Sequence, residues 1–181
     1  MDVRLAPAAQ ELRPAAHSLL LELAGILVDR PSLTHDAGGR PQIPGLAVSV
    51  SYTERFVAVA AAYGGPIGID LEEVRPRDFR PLAERWFGPR ELQWLGRQPD
   101  QLVAFLRLWT AKEAVGKALG LGLRKSGLRR EMPLDEGPVP SVPELSVTHL
   151  RCAGGVLAVA APTGVGVHLA SPGLDPVCAR G

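Results

Sequence analysis

LAVSVSYTERFVAVAAAYGGPIGIDLEEV, residues 46–74, is the stretch on which the reading of this chain turns. Apolar and polar residues alternate over 46–51, an apolar run fills 56–63, and a third run occupies 66–74. Each has the length and the β-branched content of a strand. Tyr52 to Arg55 joins the first two as a hairpin, and Gly64-Gly65-Pro66 separates the second from the third. A strand has a side-chain period of two, so within G-I-D-L-E-E (68–73) Asp70 and Glu72 point to one face and Ile69 and Leu71 to the other. Two carboxylates on one face repel each other. They become useful when a hard divalent cation lies between them, although an Asp-x-Glu is also what a solvated strand edge looks like.

Upstream, Leu19, Leu20, Leu23, Ile26 and Leu27 recur at helical spacing, which predicts an amphipathic helix over 16–29 stopped by Pro31. Downstream of Pro76 the pattern changes to helices over 79–87, over 89–96 opening on Pro89, and from about 100 to 119. Gly120, Gly122, Gly127, Pro133, Gly137, Pro138, Pro140 and Pro143 mark an irregular, partly basic loop. Strands are expected over 144–152, 154–162 and 164–170. Helix then strands, followed by helices then strands, predicts two α+β halves meeting near Pro66.

Composition limits the possibilities further. A chain of 181 residues with 46% hydrophobic and 22% charged residues is long enough for one domain or two small halves sharing a core. With 20 Lys+Arg against 19 Asp+Glu it lacks the cationic excess that nucleic-acid binding requires. Cys152 and Cys178 have no metal or redox spacing, which suits a reducing cytoplasm. The apolar run 18–28 is interrupted by Glu22 and followed by Asp29-Arg30, unlike a signal peptide. Pro162 and four glycines break the uncharged run from 152 to 174, so no membrane span is expected.

A second unit is L-W-T-A-K-E-A-V-G-K-A-L-G, residues 108–120, on the longest expected helix. Glu113 and Lys117 are four apart and share a face, with Trp109 a turn earlier. Taken alone this is a surface ion pair above a buried stripe of Leu108, Ala111, Val115 and Leu119. Lys112 beside Glu113 changes the weighing. Two lysines and a carboxylate here, with two carboxylates on a preceding strand, provide a third metal oxygen and cations for a pyrophosphate.

The order G-I-D-L-E followed by W-T-A-K-E-A-x-x-K-A-x-G resembles the signature of the 4'-phosphopantetheinyl transferase superfamily. G-R-P (39–41), the L-A-V-S-V-S strand and R-W-F-G-P-R-E (85–91) resemble further blocks of its larger, two-half class. The resemblance implies an α+β fold of two similar halves related by a pseudo-twofold, each a small antiparallel sheet packed with helices. These are residues 1–65 and, with the reactive groups, 66–171, followed by a flexible tail at 172–181. It further implies that Asp70, Glu72 and Glu113 hold Mg²⁺ and that Lys112 and Lys117 bind the phosphates of coenzyme A. Asp70, Glu113 and Lys117 form the catalytic set, with Glu113 as base for the serine of an acyl or peptidyl carrier protein. That serine receives the 4'-phosphopantetheine arm, and 3',5'-ADP leaves. The small trimeric class places its site between subunits; the extra N-terminal helix and hairpin here point to a monomer.

The chain departs from the family at one strand. Val50 stands where the larger class has a histidine for the 3'-phosphate of the coenzyme, leaving Ser49, Ser51 and Arg40 as candidate contacts. This keeps open a rival expectation, a non-catalytic homologue that only binds carrier protein or coenzyme. Leu121 and Leu123 beside Arg124 and Lys125 suit docking of an acidic carrier protein. Trp86, Phe87 and Trp109 are expected in the core. His17, His35, His149 and His168 are scattered and form no metal pattern.

Overall fold

The computed structural model describes residues 1–8, 11–121, 127–152 and 154–169. The elements run β1 (Asp2–Pro7), α1 (Leu12–Leu27), β2 (Thr34–His35), β3 (Pro41–Gln42), β4 (Ala47–Tyr52), β5 (Phe56–Ala62), β6 (Gly68–Glu73), α2 (Arg80–Trp86), α3 (Pro89–Leu95), α4 (Gln101–Ala118), β7 (Gly137–Val139), β8 (Val142–Cys152), β9 (Gly155–Pro162) and β10 (His168–Leu169). Two four-stranded sheets, ordered β10-β1-β5-β4 and β6-β9-β8-β7, carry the fold, and β2-β3 form a separate small hairpin. Among the described residues it is an α+β fold of small antiparallel sheets with four α-helices, as expected; the β1–β10 pair is parallel.

Strand β5 shows how the layers stack, because all of its residues are buried. Phe56, Ala58, Ala60 and Ala62 join Ile69, Leu71, Leu157 and Val159 in a core between the sheets. The alternate residues Val57, Val59 and Ala61 join Leu19, Leu20 and Leu23 of α1. On the far side Val156, Ala158 and Ala160 pack under Phe105, Leu108, Ala111 and Val115 of α4. The order is therefore α1, first sheet, second sheet, α4, as two-sided burial of strands requires. Phe87 is buried in the outer core, with Trp86 and Trp109 packed against it.

Several boundaries differ from the sequence expectation. Helix α1 starts at Leu12 rather than 16, because Pro14 in the first turn removes an N–H that has no helical partner anyway. It ends at Leu27, where Val28 turns extended and Arg30 takes a left-handed φ of 49°, before Pro31 is reached. Strand β1 was not expected: only Val3 and Leu5 of its six residues are buried, too short an alternation to stand out. The loop after α4 contains a 3₁₀ turn at Gly127–Arg129 and strand β7. The last expected strand shrinks to His168–Leu169, which pairs with Asp2 and Val3 in the first sheet. Residues 172–181 lie outside the described residues.

Gly68 lets α4 settle onto β6. A Cβ there would stand 2.0 Å from the Ala114 carbonyl oxygen and 2.7 Å from the Ala118 nitrogen, both backbone. Any side chain would lift the helix off the strand. Gly68→Ala is expected to destabilise by at least the roughly 1–3 kcal/mol typical of overpacking, seen as a lowered Tm in thermal denaturation; an unchanged Tm would contradict the close approach.

Candidate active site

Strand β6 is an edge of its sheet. Its partner β9 lies on one side, and the N–H and C=O groups of Ile69 face the other way, toward β4. No ladder joins these two strands; side chains satisfy the edge instead. The Ile69 N–H donates to Ser49 Oγ at 3.0 Å and the Leu71 N–H to Ser51 Oγ at 3.1 Å. Ser51 Oγ in turn donates to Asp70 Oδ1 at 3.1 Å. Lys117, reaching from α4, donates to the carbonyls of Val50 (3.3 Å) and Ile69 (2.8 Å) and to Asp70 Oδ1 (2.8 Å). Its three N–H donors thus span both strands and the carboxylate.

Asp70 and Glu72 project toward α4, opposite Ile69 and Leu71, as the strand period predicts. Burial pushes the Asp70 carboxyl up, against the pull of Lys117 and Ser51. Its Oδ2 is buried and has no hydrogen-bond partner among the described residues. Glu72 is raised by burial and by Asp70, and restrained by Arg77, whose Nη1 donates to Oε2 at 2.9 Å. Glu113 is pushed up to about 7, by burial first and then by the charges of Asp70 and Glu72, with Lys117 opposing. Three carboxylates from two elements thus feel one another. As they stand, no three His, Cys, Asp or Glu side chains among the described residues gather closely enough to hold an ion.

Lys112 departs from its expected role. It points away from this face into the protein, where its ammonium is fully buried. There it donates to Glu91 Oε2 at 2.8 Å and to the Arg130 carbonyl at 2.6 Å, and it lies over the Phe87 ring. Burial holds its pKa below the ordinary lysine range, opposed by Glu91. The helical turn explains the placement: Lys112 and Glu113 are adjacent, about 100° apart around α4, so only one can face the β6 carboxylates. Glu91, equally buried, also accepts from the Gly88 N–H at 2.8 Å, capping α3, and from the Met132 N–H at 2.9 Å. One carboxylate thereby fixes α3, α4 and the chain after the 3₁₀ turn. Its sequence signal was the E of R-W-F-G-P-R-E, three residues after Gly88 as in a capping box.

Ser49 and Ser51 are buried with their hydroxyls engaged at the β4–β6 seam. Val50 packs against the α1 core. Arg40 lines a cleft of about 280 Å³ with Thr34, Gln42, Ile43, Leu46 and Val48. Its guanidinium also reaches the end of α4, where a Cβ on Gly120 would stand 3.3 Å from Nη1. Gly120 takes φ 67° there, and the Leu121 N–H donates to the Gly116 carbonyl at 2.9 Å, a glycine-terminated helix end. Leu121 is half-buried; Leu123, Arg124 and Lys125 lie outside the described residues. Two arginines went unremarked in the sequence, Arg75 and Arg77, which with Tyr52, Glu54 and Glu72 line a second cleft of about 230 Å³. The R-P-R following the acidic strand was their only signal.

Comparison with known proteins bears directly on this arrangement. The family model described as the 4'-phosphopantetheinyl transferase superfamily matches residues 66–153, the segment holding Asp70, Glu72, Glu91, Glu113 and Lys117. The 4'-phosphopantetheinyl transferase AcpT of Salmonella typhimurium is 32% identical over 171 residues, covering 90% of this chain and 84% of that protein. The chain belongs to the 4'-phosphopantetheinyl transferase superfamily. Among other superfamily members, the 4'-phosphopantetheinyl transferase HetI of Nostoc is 34% identical over 122 residues, 62% of this chain and 52% of its own length. A putative 4'-phosphopantetheinyl transferase of Haemophilus influenzae is 31% identical over 133 residues, 68% and 57% respectively. The chain thus spans about half the length of several curated superfamily relatives that it matches.

Two outcomes are expected from this geometry. Glu91→Ala leaves a buried ammonium unpaired and should cost about 3–5 kcal/mol in denaturant unfolding, with Glu91→Gln less damaging; equal, small losses for both would deny the buried pair its role. For Glu113, the folded pKa of about 7 exceeds the ordinary value of 4.5. The folded chain then holds more protons than the unfolded one between those values, so this group's contribution to stability falls as pH rises from 4.5 through 7. In metal-free buffer Glu113→Gln should therefore gain stability relative to the parent from pH 5 to pH 8; a pH-independent difference would refute the shift.

Proposed function

We propose that this protein transfers the 4'-phosphopantetheine arm of coenzyme A to a serine of an acyl or peptidyl carrier protein, releasing 3',5'-ADP. The observation that supports this most strongly is the electrostatic coupling of Asp70, Glu72 and Glu113 on facing elements, with a buried Asp70 oxygen that has no hydrogen-bond partner among the described residues. Repelling carboxylates kept together at a cost suit a divalent cation, and an all-oxygen donor set suits Mg²⁺. Asp70, Glu72 and Glu113 are the residues that would hold it. Bound there, Mg²⁺ supplies charge neutralisation for the diphosphate of the coenzyme.

The chain's own residues contribute positioning and proton transfer. Glu113 is the carboxylate on α4 that would accept the serine proton. The serine oxygen then attacks the β-phosphorus, forming a phosphodiester, while the bond to the ADP oxygen breaks and its electrons leave with 3',5'-ADP. Lys117 holds Asp70 and stands beside the site as the nearby cation. Arg40, which lines the 280 Å³ cleft, would meet a phosphate of the coenzyme. An acidic carrier protein is the partner this reading implies. All the proposed ligands come from one chain, which suits a monomer. No helix among the described residues is long and apolar enough to cross a membrane.

Mass spectrometry of apo carrier proteins incubated with coenzyme A and Mg²⁺ tests the reading: a phosphopantetheine mass gain is expected. The gain should fall by roughly 10²-fold or more in rate for Glu113→Gln and Asp70→Asn, and disappear with chelator. No gain across a panel of carriers would favour a binding-only homologue. A gain undiminished in Glu113→Gln would overturn the site.

A further inference from the structure

His17 on α1 and His35 in β2 are separated by 18 residues yet meet at the surface, their Nε2 atoms 3.2 Å apart. The ring centroids are 4.8 Å apart and the planes are tilted by 43°. His35 is exposed and His17 half-buried, so core packing does not force the contact. With both rings neutral, one Nε2–H donates to the other Nε2, and moving that proton to its own ring's Nδ1 leaves both Nε2 lone pairs free for a metal. Two nitrogens bound to one tetrahedral zinc at about 2.0–2.1 Å stand roughly 3.3–3.4 Å apart. The observed separation is within about 0.2 Å of that.

We propose that His17 and His35 form a two-imidazole site for Zn²⁺, completed by water and separate from the Asp70, Glu72 and Glu113 cluster. Asp36, beside His35, has its Oδ1 accepting from the backbone N–H groups of Gly38 and Arg40. Nitrogen donors select zinc over Mg²⁺, which seeks oxygen. The ion would tie α1 to the β2–β3 hairpin. That hairpin is paired only with itself in the sheet order, and it carries Thr34, Pro41 and Gln42 on the wall of the 280 Å³ cleft. Zinc would therefore brace one side of the cleft from a position outside it.

The test is calorimetric titration of untagged protein with Zn²⁺ in saturating Mg²⁺, so that the carboxylate cluster does not take up zinc. One zinc per chain and a raised Tm are expected. Both should be lost in His17→Ala and in His35→Ala, each measured against its own zinc-free Tm. Cobalt substitution should give the intense visible absorption of a tetrahedral site in the parent and in neither variant. Absence of zinc uptake by the parent, or uptake that persists in the double variant, would overturn the proposal.

Discussion

The ammonium of Lys117 sits where β4 and β6, the edge strands of the two stacked sheets, adjoin, and the arrangement depends on it. Without a cation there, the carbonyls of Val50 and Ile69 would lose this donor and the carboxylate of Asp70 would keep only Ser51. A buried carbonyl or carboxylate left in that condition costs on the order of 1–3 kcal/mol or more. A single side chain from α4 thus holds the first sheet, the second sheet and the acidic strand in one arrangement. The lysine of the sequence motif also ties together the two sheets around Asp70.

The helix that delivers Lys117 is itself located from two directions. Gly68 sets how closely α4 lies on β6, and the Glu91–Lys112 pair sets its position relative to α3 and the chain beyond the 3₁₀ turn. Neighbouring residues of one motif therefore divide the labour. Lys112 anchors the inner side of the helix, while Glu113 and Lys117 lie on the side toward β6. A buried ion pair is a poor source of net stability, but it tolerates only one geometry.

Much of this was legible in the sequence wherever a local period carried it. The alternation of G-I-D-L-E-E placed Asp70 and Glu72 opposite Ile69 and Leu71, and the three-to-four spacing of the long helix put Glu113 and Lys117 on one side. What escaped were features set by tertiary contact. Strand β1 carries only two inward residues, and its strand character comes from lying between β5 and β10. The burial of Lys112 depends on Glu91, 21 residues away. Ser49 and Ser51 looked like ligand contacts because a serine's hydroxyl is equally suited to a phosphate and to a strand edge. His17 and His35 looked scattered because a helix and a hairpin bring them together.

The hydroxyl-bridged seam has a consequence for how the molecule breathes. In an ordinary ladder each amide is shielded by a neighbouring strand's carbonyl, and many such bonds must open together. The amides of Ile69 and Leu71 are instead shielded by two serine side chains belonging to the other sheet. Their exchange with solvent deuterium requires only that the two sheets part slightly, not that either one unravels. The same separation would strip Asp70 of Ser51. Opening of the seam and loss of the Ser51 hydrogen bond to Asp70 are thereby one event, read out by two backbone amides.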